Sequence, residues 1–350
     1  MSSRVYHALL WAACLGMILC TGCPASSDRE SSSDKLSVFV SIAPQAEFVK
    51  RIGGERVSVE VLVPSGQSPA TYEPGLQQMA TLSEAELYFR IGVPFERGLL
   101  PKVERTMPEL RIIDTRRGID LRRMHSEPHA GAHDHGHAGA HDDGHHDDHD
   151  HGHAGAHDDG HHDDPDHDHA GAHDDGHDAA HDHSHGGSDP HIWLSPRLVQ
   201  VQARTIADAL KQADPAGAAV YEANLQQFIA DLEALDAELR QALAPVRGKT
   251  LMVFHPSWGY FADAYGLEQH AIELEGKEPS ARQLTRIIAR AKAEDVRVIF
   301  VQPQFSQSSA EAVAGAIDGA VVPIDPLARD YMANLRRVAR TIREALGGQE

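Results

Sequence analysis

Residues 36–63 read LSVFVSIAPQAEFVKRIGGERVSVEVLV: two short apolar runs rich in β-branched residues, Leu36–Val40 and Val57–Val63, with a stretch of helical character between them. Runs of this kind mark strands, and a helix-length connection between two of them is the signature of a βαβ unit. The pattern recurs. Further runs stand at Leu87–Ile91 and Arg111–Ile113, and a second set follows late in the chain at Thr250–Phe254, Glu268–Ile272, Arg297–Val301 and Ala320–Ile324, separated by helical patterns such as Ser280–Lys292. The alternation predicts an α/β protein with mostly parallel sheets.

Between the two sets lies a helical region from Pro196 to about Leu243, interrupted at Asp214-Pro215, where Asp can cap a helix and Pro can open one. From Tyr221 the apolar residues fall at Tyr221, Leu225, Phe228, Leu232, Leu235 and Leu239, in steps of four and three that put them on one helix face. The stripe lasts under three heptads, so packing within the chain is expected rather than a coiled coil.

The chain has 350 residues and a formal charge of −20. Residues 125–185 hold 21 of the 25 histidines and 17 of the 52 acidic residues, with no Lys or Arg, so only −3 is spread over everything else. No basic patch stands out, which argues against a nucleic-acid partner. The segment repeats: HAGAHDDGHHDD begins at His137 and again at His153, and HAGAHDDGHDAA begins at His169. The unit offers only alanines as an apolar face, so it cannot stack as a solenoid, and a disordered loop is expected. Imidazoles with an ordinary pKa of ~6.5 are mostly unprotonated at neutral pH and are ligands for zinc, nickel and copper. His137, His141, His145, His146, His153, His157, His161, His162, His169 and His173 are candidates for accessory metal collection. Flexible ligands follow the Irving–Williams order, so selectivity must come from elsewhere.

The first residues carry an address. Arg4, an apolar run from Ala8 to Cys20, and Thr21-Gly22 before Cys23 read as a signal peptide over residues 1–22. Thr-Gly-Cys resembles the end of a bacterial lipobox, with Cys20 where Leu is usual, so Cys23 is the candidate lipid anchor and residues 23–35, rich in Ser and charge, the flexible tether. The expected location is the periplasm or the outer face of the cell envelope. All three cysteines lie in this leader, which leaves the folded part without a disulfide or a thiolate ligand.

Ligands of open α/β sheets sit beyond the carboxyl ends of the strands. There the sequence places PSGQSPATYEP (64–74), His255, Gln302-Pro303 and Asp325, while DPHIWLSP (189–196) sets His191 just before a helix that Ser195 can cap and Pro196 can open. His191, His255 and Asp325 would supply two imidazoles and a carboxylate from three separate segments, a set that suits zinc. Phosphate cradles of the GxGxxG or P-loop kind, a GxSxG elbow and an HExxH helix are all absent, so nucleotide binding, serine hydrolysis and metalloprotease chemistry find no support.

These motifs, with FHPSWGYFADAYGL (254–267), IELEGKEPS (272–280) and IDPL (324–327), resemble the zinc-type, ZnuA-like branch of the solute-binding proteins of bacterial metal ABC transporters, the cluster A-I or TroA-like family. The resemblance implies two four-stranded parallel-sheet α/β lobes joined by one long rigid helix, with a metal cleft between the lobes. Residues 36–190 would form the N-terminal lobe with the His/Asp-rich loop at 125–187, residues 191–245 the helical connection and residues 246–350 the C-terminal lobe. It implies His191 and His255 as metal ligands, with Asp325 at a position that often carries an acidic one. It also implies a monomeric carrier, not an enzyme, that captures zinc (Zn2+) as cargo and delivers it to an ABC permease and its ATPase. A zinc buffer or metallochaperone working through the histidine loop, and a manganese or iron carrier, are the alternatives.

One departure stands out: the family's His after Ser-Pro is Ala70 here. Three arrangements stay open. The ion is held by His191, His255 and Asp325 with water, or a loop histidine completes the shell, or the cleft binds weakly or binds something else. Of the neighbours, Glu73 is expected to order its loop, Trp258 and Tyr260 to line or close the cleft, Glu275 and Glu278 to organise a surface loop, and His270 to sit in a strand with no role in binding.

Overall fold

The computed structural model describes residues 35–124, 187–273, 277–305 and 307–348. The signal peptide, Cys23, all of the tether but Lys35, the histidine repeat and Glu275 lie outside them.

The most deeply buried strands take the middle of each sheet. In the first, β1 (Leu36–Val40) and β3 (Leu87–Arg90) are buried along almost their whole length, while β2 (Val57–Val61) and β4 (Arg111–Asp114) are only partly covered and form the edges. The order is β2-β1-β3-β4, all parallel, with Val38 opposite Val59 on one side and Leu87 on the other. In the second sheet β5 (Thr250–Val253) and β7 (Val298–Val301) lie inside β6 (Glu268–Ala271) and β8 (Ala320–Pro323), in the order β6-β5-β7-β8, again parallel. A parallel strand covered on both faces must be apolar throughout, and an edge strand need not be. Every expected strand is present, some ending one or two residues earlier than their apolar runs.

Helices cover both sheets. The first lobe contributes α1 (Ala43–Gly53), α2 (Leu76–Ser83) and α3 (Glu96–Thr106). The connection is α4 (Pro196–Ala213) and α5 (Ala218–Leu243), and the second lobe carries α6 (Gly259–Tyr265), α7 (Ala281–Ala293), α8 (Ser308–Ala316) and α9 (Tyr331–Gly347). None of the described helices is long and apolar enough to cross a membrane. The break before α5 is held by Asp214, whose carboxylate accepts from the Gly217 amide at 3.2 Å, from Tyr221 Oη at 2.6 Å and from Arg56 Nε at 2.7 Å. Ser195 occupies the N-cap of α4 with Pro196 at its first turn, but its side chain makes no capping bond, contrary to expectation.

All six residues of the α5 stripe are buried. They are covered by α4 and α1 on one side and α9 on the other. Phe48 of α1 lies 5.9 Å from the ring of Phe228 on α5 and meets Tyr331 at the start of α9 edge-on at 4.9 Å. Arg51 of α1 stands over Phe228 and pairs with Asp231, and Glu47 accepts from the Tyr331 amide. The long helix is thus bolted to both lobes by apolar contact, which makes the joint stiff. A second apolar cluster, including Met252, Phe254, Ile299, Val301, Ala291 and Val313, fills the opposite face of the second sheet against α7 and α8.

Candidate metal site

Each strand order changes direction once, between β1 and β3 and between β5 and β7, and the loops leaving these strands open a crevice at the carboxyl edge. Gly92-Val93-Pro94 after β3, His255-Pro256-Ser257 after β5 and Gln304-Phe305 after β7 all line one cleft of about 620 Å³. Ser68–Thr71, His191, Trp193, Glu273, Pro326 and Leu327 complete much of its wall. The loop after β3 is fixed by buried Glu96, which accepts from the Ile91 and Gly92 amides at 2.9 and 2.8 Å and from Ser41 Oγ at 2.6 Å. Burial raises the Glu96 carboxyl above its ordinary range against the pull of these donors.

Two imidazoles meet in the cleft. The ring centres of His191 and His255 are 5.3 Å apart with planes at 73°. His191 Nδ1 lies 2.7 Å from Asp189 Oδ1, and His255 Nδ1 lies 2.8 Å from Glu273 Oε2. A carboxylate only accepts, so each ring donates its Nδ1–H and is left with a lone pair on Nε2. Two imidazoles bound through Nε2 to one tetrahedral zinc, at Zn–N distances of ~2.0–2.1 Å, have ring centres about 5.2 Å apart. The observed separation matches that arrangement.

Both rings are mounted firmly. Buried Gln302 donates to the His255 carbonyl at 2.9 Å and accepts from its amide at 3.1 Å, and Phe305 stacks on the His255 ring at 4.7 Å. His191 donates its amide to Asp189 at 3.0 Å, and neighbouring Trp193 donates Nε1–H to the Pro326 carbonyl at 2.8 Å. Burial pulls the His191 imidazole below its ordinary pKa, with Asp189 opposing. Tyr260 Oη donates to the Asp189 carbonyl at 3.0 Å and accepts from the Arg122 amide at 2.9 Å, and burial pushes its own hydroxyl up to about 12. Arg122 also bonds the Gly259 carbonyl and pairs with Asp263 on α6. Met124 and Gly187, which flank residues 125–186, hydrogen-bond at 3.0 Å and line the cleft.

Asp325 is placed differently from the two histidines. It is not part of the cleft wall, and its Oδ1 accepts from Gln304 Nε2 at 2.8 Å and from the Leu327 amide at 2.9 Å. No three His, Cys, Asp or Glu side chains among the described residues are arranged to hold a metal. Ala70 does line the cleft, where its methyl offers no donor. Trp258, expected at the cleft, is fully buried in the core, and Tyr260 acts as a fastener behind the wall instead of lining it. Glu73 is exposed and away from the wall. Glu278 is exposed and accepts from Ser309 Oγ at 3.3 Å, and His270 sits in β6 beside Glu294 and Arg290. Sequence reasoning missed Asp189, Glu273 and Gln304. Asp189 was visible as the residue two before His191, and Glu273 as the first polar position beyond the β6 run.

The family model described as ZnuA, zinc-uptake complex component A periplasmic, matches residues 38–345. The high-affinity zinc uptake system protein ZnuA of Bacillus subtilis (strain 168) is 29% identical over 313 residues, spanning 87% of this chain and 83% of that one. A crystal structure of ZnuA is 38% identical, with a TM-score of 0.70 over 89% of this chain and 99% of that one. A zinc-bound deletion mutant of ZnuA gives the same identity and TM-score over 91% of this chain and 100% of that one. With a family model spanning both sheets and the helices between them, the chain belongs to the ZnuA family of solute-binding proteins.

Proposed function

We propose that the chain is an extracytoplasmic zinc carrier that takes up one ion in the cleft and passes it to an ABC permease powered by its ATPase. The observation that carries this reading is the pair of imidazoles, His191 and His255, 5.3 Å apart with both Nδ1 atoms engaged by carboxylates. The names of the relatives support zinc as the cargo. Asp325 belongs to the same side of the site through the side chain it holds. The protein binds and releases its cargo without transforming it, as a monomer, tethered to the membrane by a lipid on Cys23. The histidines of residues 125–185 serve as a collector, raising the amount of zinc near a cleft whose rim their flanking residues Met124 and Gly187 help form.

Competition titration against a chromophoric zinc chelator tests the reading. The double variant His191→Ala, His255→Ala is expected to lose one tight equivalent and keep the weaker binding of the histidine segment. A chain lacking residues 125–185 is expected to keep that tight equivalent. Loss of tight binding in the deletion, with none in the double variant, would establish the buffer reading instead.

A further inference from the structure

Two imidazoles leave a tetrahedral ion short of ligands, and the family's usual third is a methyl group at Ala70. Gln304 occupies the gap in the inventory. It lies in the turn after β7, next to Phe305, which stacks on His255, and it lines the cleft with both histidines. Its amide orientation is set by Asp325. The carboxylate can only accept, so the Gln304 NH2 group must face Oδ1, and the carbonyl oxygen must point the other way. Asp325 is itself held by the Leu327 amide at its side chain and by Asn334 of α9, which donates to the Asp325 carbonyl at 2.6 Å.

The outcome is an unpaired acceptor. Gln304 Oε1 is buried and has no hydrogen bond, and among the described buried polar atoms left without a partner it alone belongs to a cleft-lining residue. Buried carbonyls are almost always satisfied, so an orphan on a residue that lines the same cleft as the two imidazoles marks a place where a ligand supplies the partner.

We infer, building on the zinc-carrier reading above, that Gln304 supplies the third protein donor to the metal's coordination shell, a neutral oxygen, and that Asp325 is the positioning residue that aims it. Asp325 then acts through Gln304 and touches no metal. An amide oxygen is a harder and weaker donor to zinc than imidazole, so this cleft discriminates less sharply between zinc and metals that prefer oxygen.

The experiment uses the full chain with Co2+ as a spectroscopic probe, because the visible d–d bands report the donor set. The spectrum of the His191→Ala, His255→Ala variant is subtracted to remove the histidine segment, and zinc affinity is measured by competition. Gln304→Met, similar in size but without the oxygen, should weaken zinc binding at least tenfold and alter the cobalt bands. Gln304→Glu should tighten binding at least tenfold. Asp325→Asn, which frees the amide to turn over, should weaken binding several-fold in the parent and have no further effect in the Gln304→Met background. Unchanged bands and affinity in both Gln304 variants would overturn the inference. So would a full Asp325→Asn effect in the Gln304→Met background, since it would make Asp325 a ligand in its own right. If the double histidine variant gives the same cobalt spectrum as the parent, the carrier reading fails first, and the two failures are distinguishable.

Discussion

Removing the carboxylates behind the two imidazoles should cost zinc affinity in a graded way. Glu273 is 4% exposed, with Oε2 at 2.8 Å from His255 Nδ1; Asp189 is 3% exposed and holds His191 at 2.7 Å. Each carboxylate fixes a tautomer, sets a ring angle and makes Nε2 more basic. Outer-shell partners of this kind are worth ~10–100-fold in metal affinity, or about 1.4–2.8 kcal/mol. Glu273→Gln keeps an acceptor for Nδ1–H and loses only the charge, so about tenfold is expected. Glu273→Ala leaves a buried N–H unpaired and frees the ring, so the loss should approach about 100-fold. Asp189→Asn should resemble Glu273→Gln, and because each carboxylate serves its own ring, the two losses should multiply to about 100-fold. The assay is chelator competition, with the double histidine variant as the blank for the histidine segment and circular dichroism as the check on folding. If Glu273→Gln and Glu273→Ala both stay within about twofold of the parent while folded, the imidazoles are not oriented for a shared ion and the reasoning fails.

Ala70→His should put an imidazole on the bare wall of the cleft, tightening zinc binding and slowing its release. Stopped-flow chelation measures both, and an unaltered off-rate would show that this wall is out of reach of the ion. Leu232→Ala, at a fully buried position of α5, should destabilise the protein by about 2–5 kcal/mol, read by chemical denaturation. Arg56 and Tyr221 hold Asp214 at a pKa of about 2, below its ordinary 3.8. The folded state therefore gains stability from the ionised carboxylate above the ordinary value and loses it as pH falls through about 2. Asp214→Asn should lower the unfolding midpoint at pH 7, and the gap to the parent should close near pH 2.

The architecture was legible because its signals are local. Val38 to Val40 and Ile299 to Val301 announce strands buried on both faces, and the Tyr221 to Leu239 stripe announces a helix with one covered side. His191 and His255 were legible for a related reason, since each follows a recognisable local element and their convergence needed only the rule about strand ends. What surrounds them was not. Glu273 meets His255 across 18 residues of sequence, and Gln304 meets Asp325 across 21, by pairings that depend on neighbouring strands and not on periodicity. Trp258 misled because an aromatic residue near a strand end suits a cleft wall and a core equally well, and here the core encloses it entirely.

The fastenings of the two imidazoles bear on how such a site releases its ion. His255 belongs to the second lobe. His191 precedes the connecting helices, yet it is tied to that same lobe through Trp193 to the Pro326 carbonyl and through the Asp189 carbonyl to Tyr260 of α6. Both rings are therefore tied to the second lobe, while the wall facing them from the first lobe, Ser68–Thr71, contributes the Ala70 methyl. An ion held by these rings does not staple the lobes together. The aromatic contacts of Phe48 with Phe228 and Tyr331 hold the joint without any contribution from the metal site. On the zinc-carrier proposal, exchange is expected to follow local movement of the loops carrying His255 and Gln304, with no imidazole bond to break at Ala70.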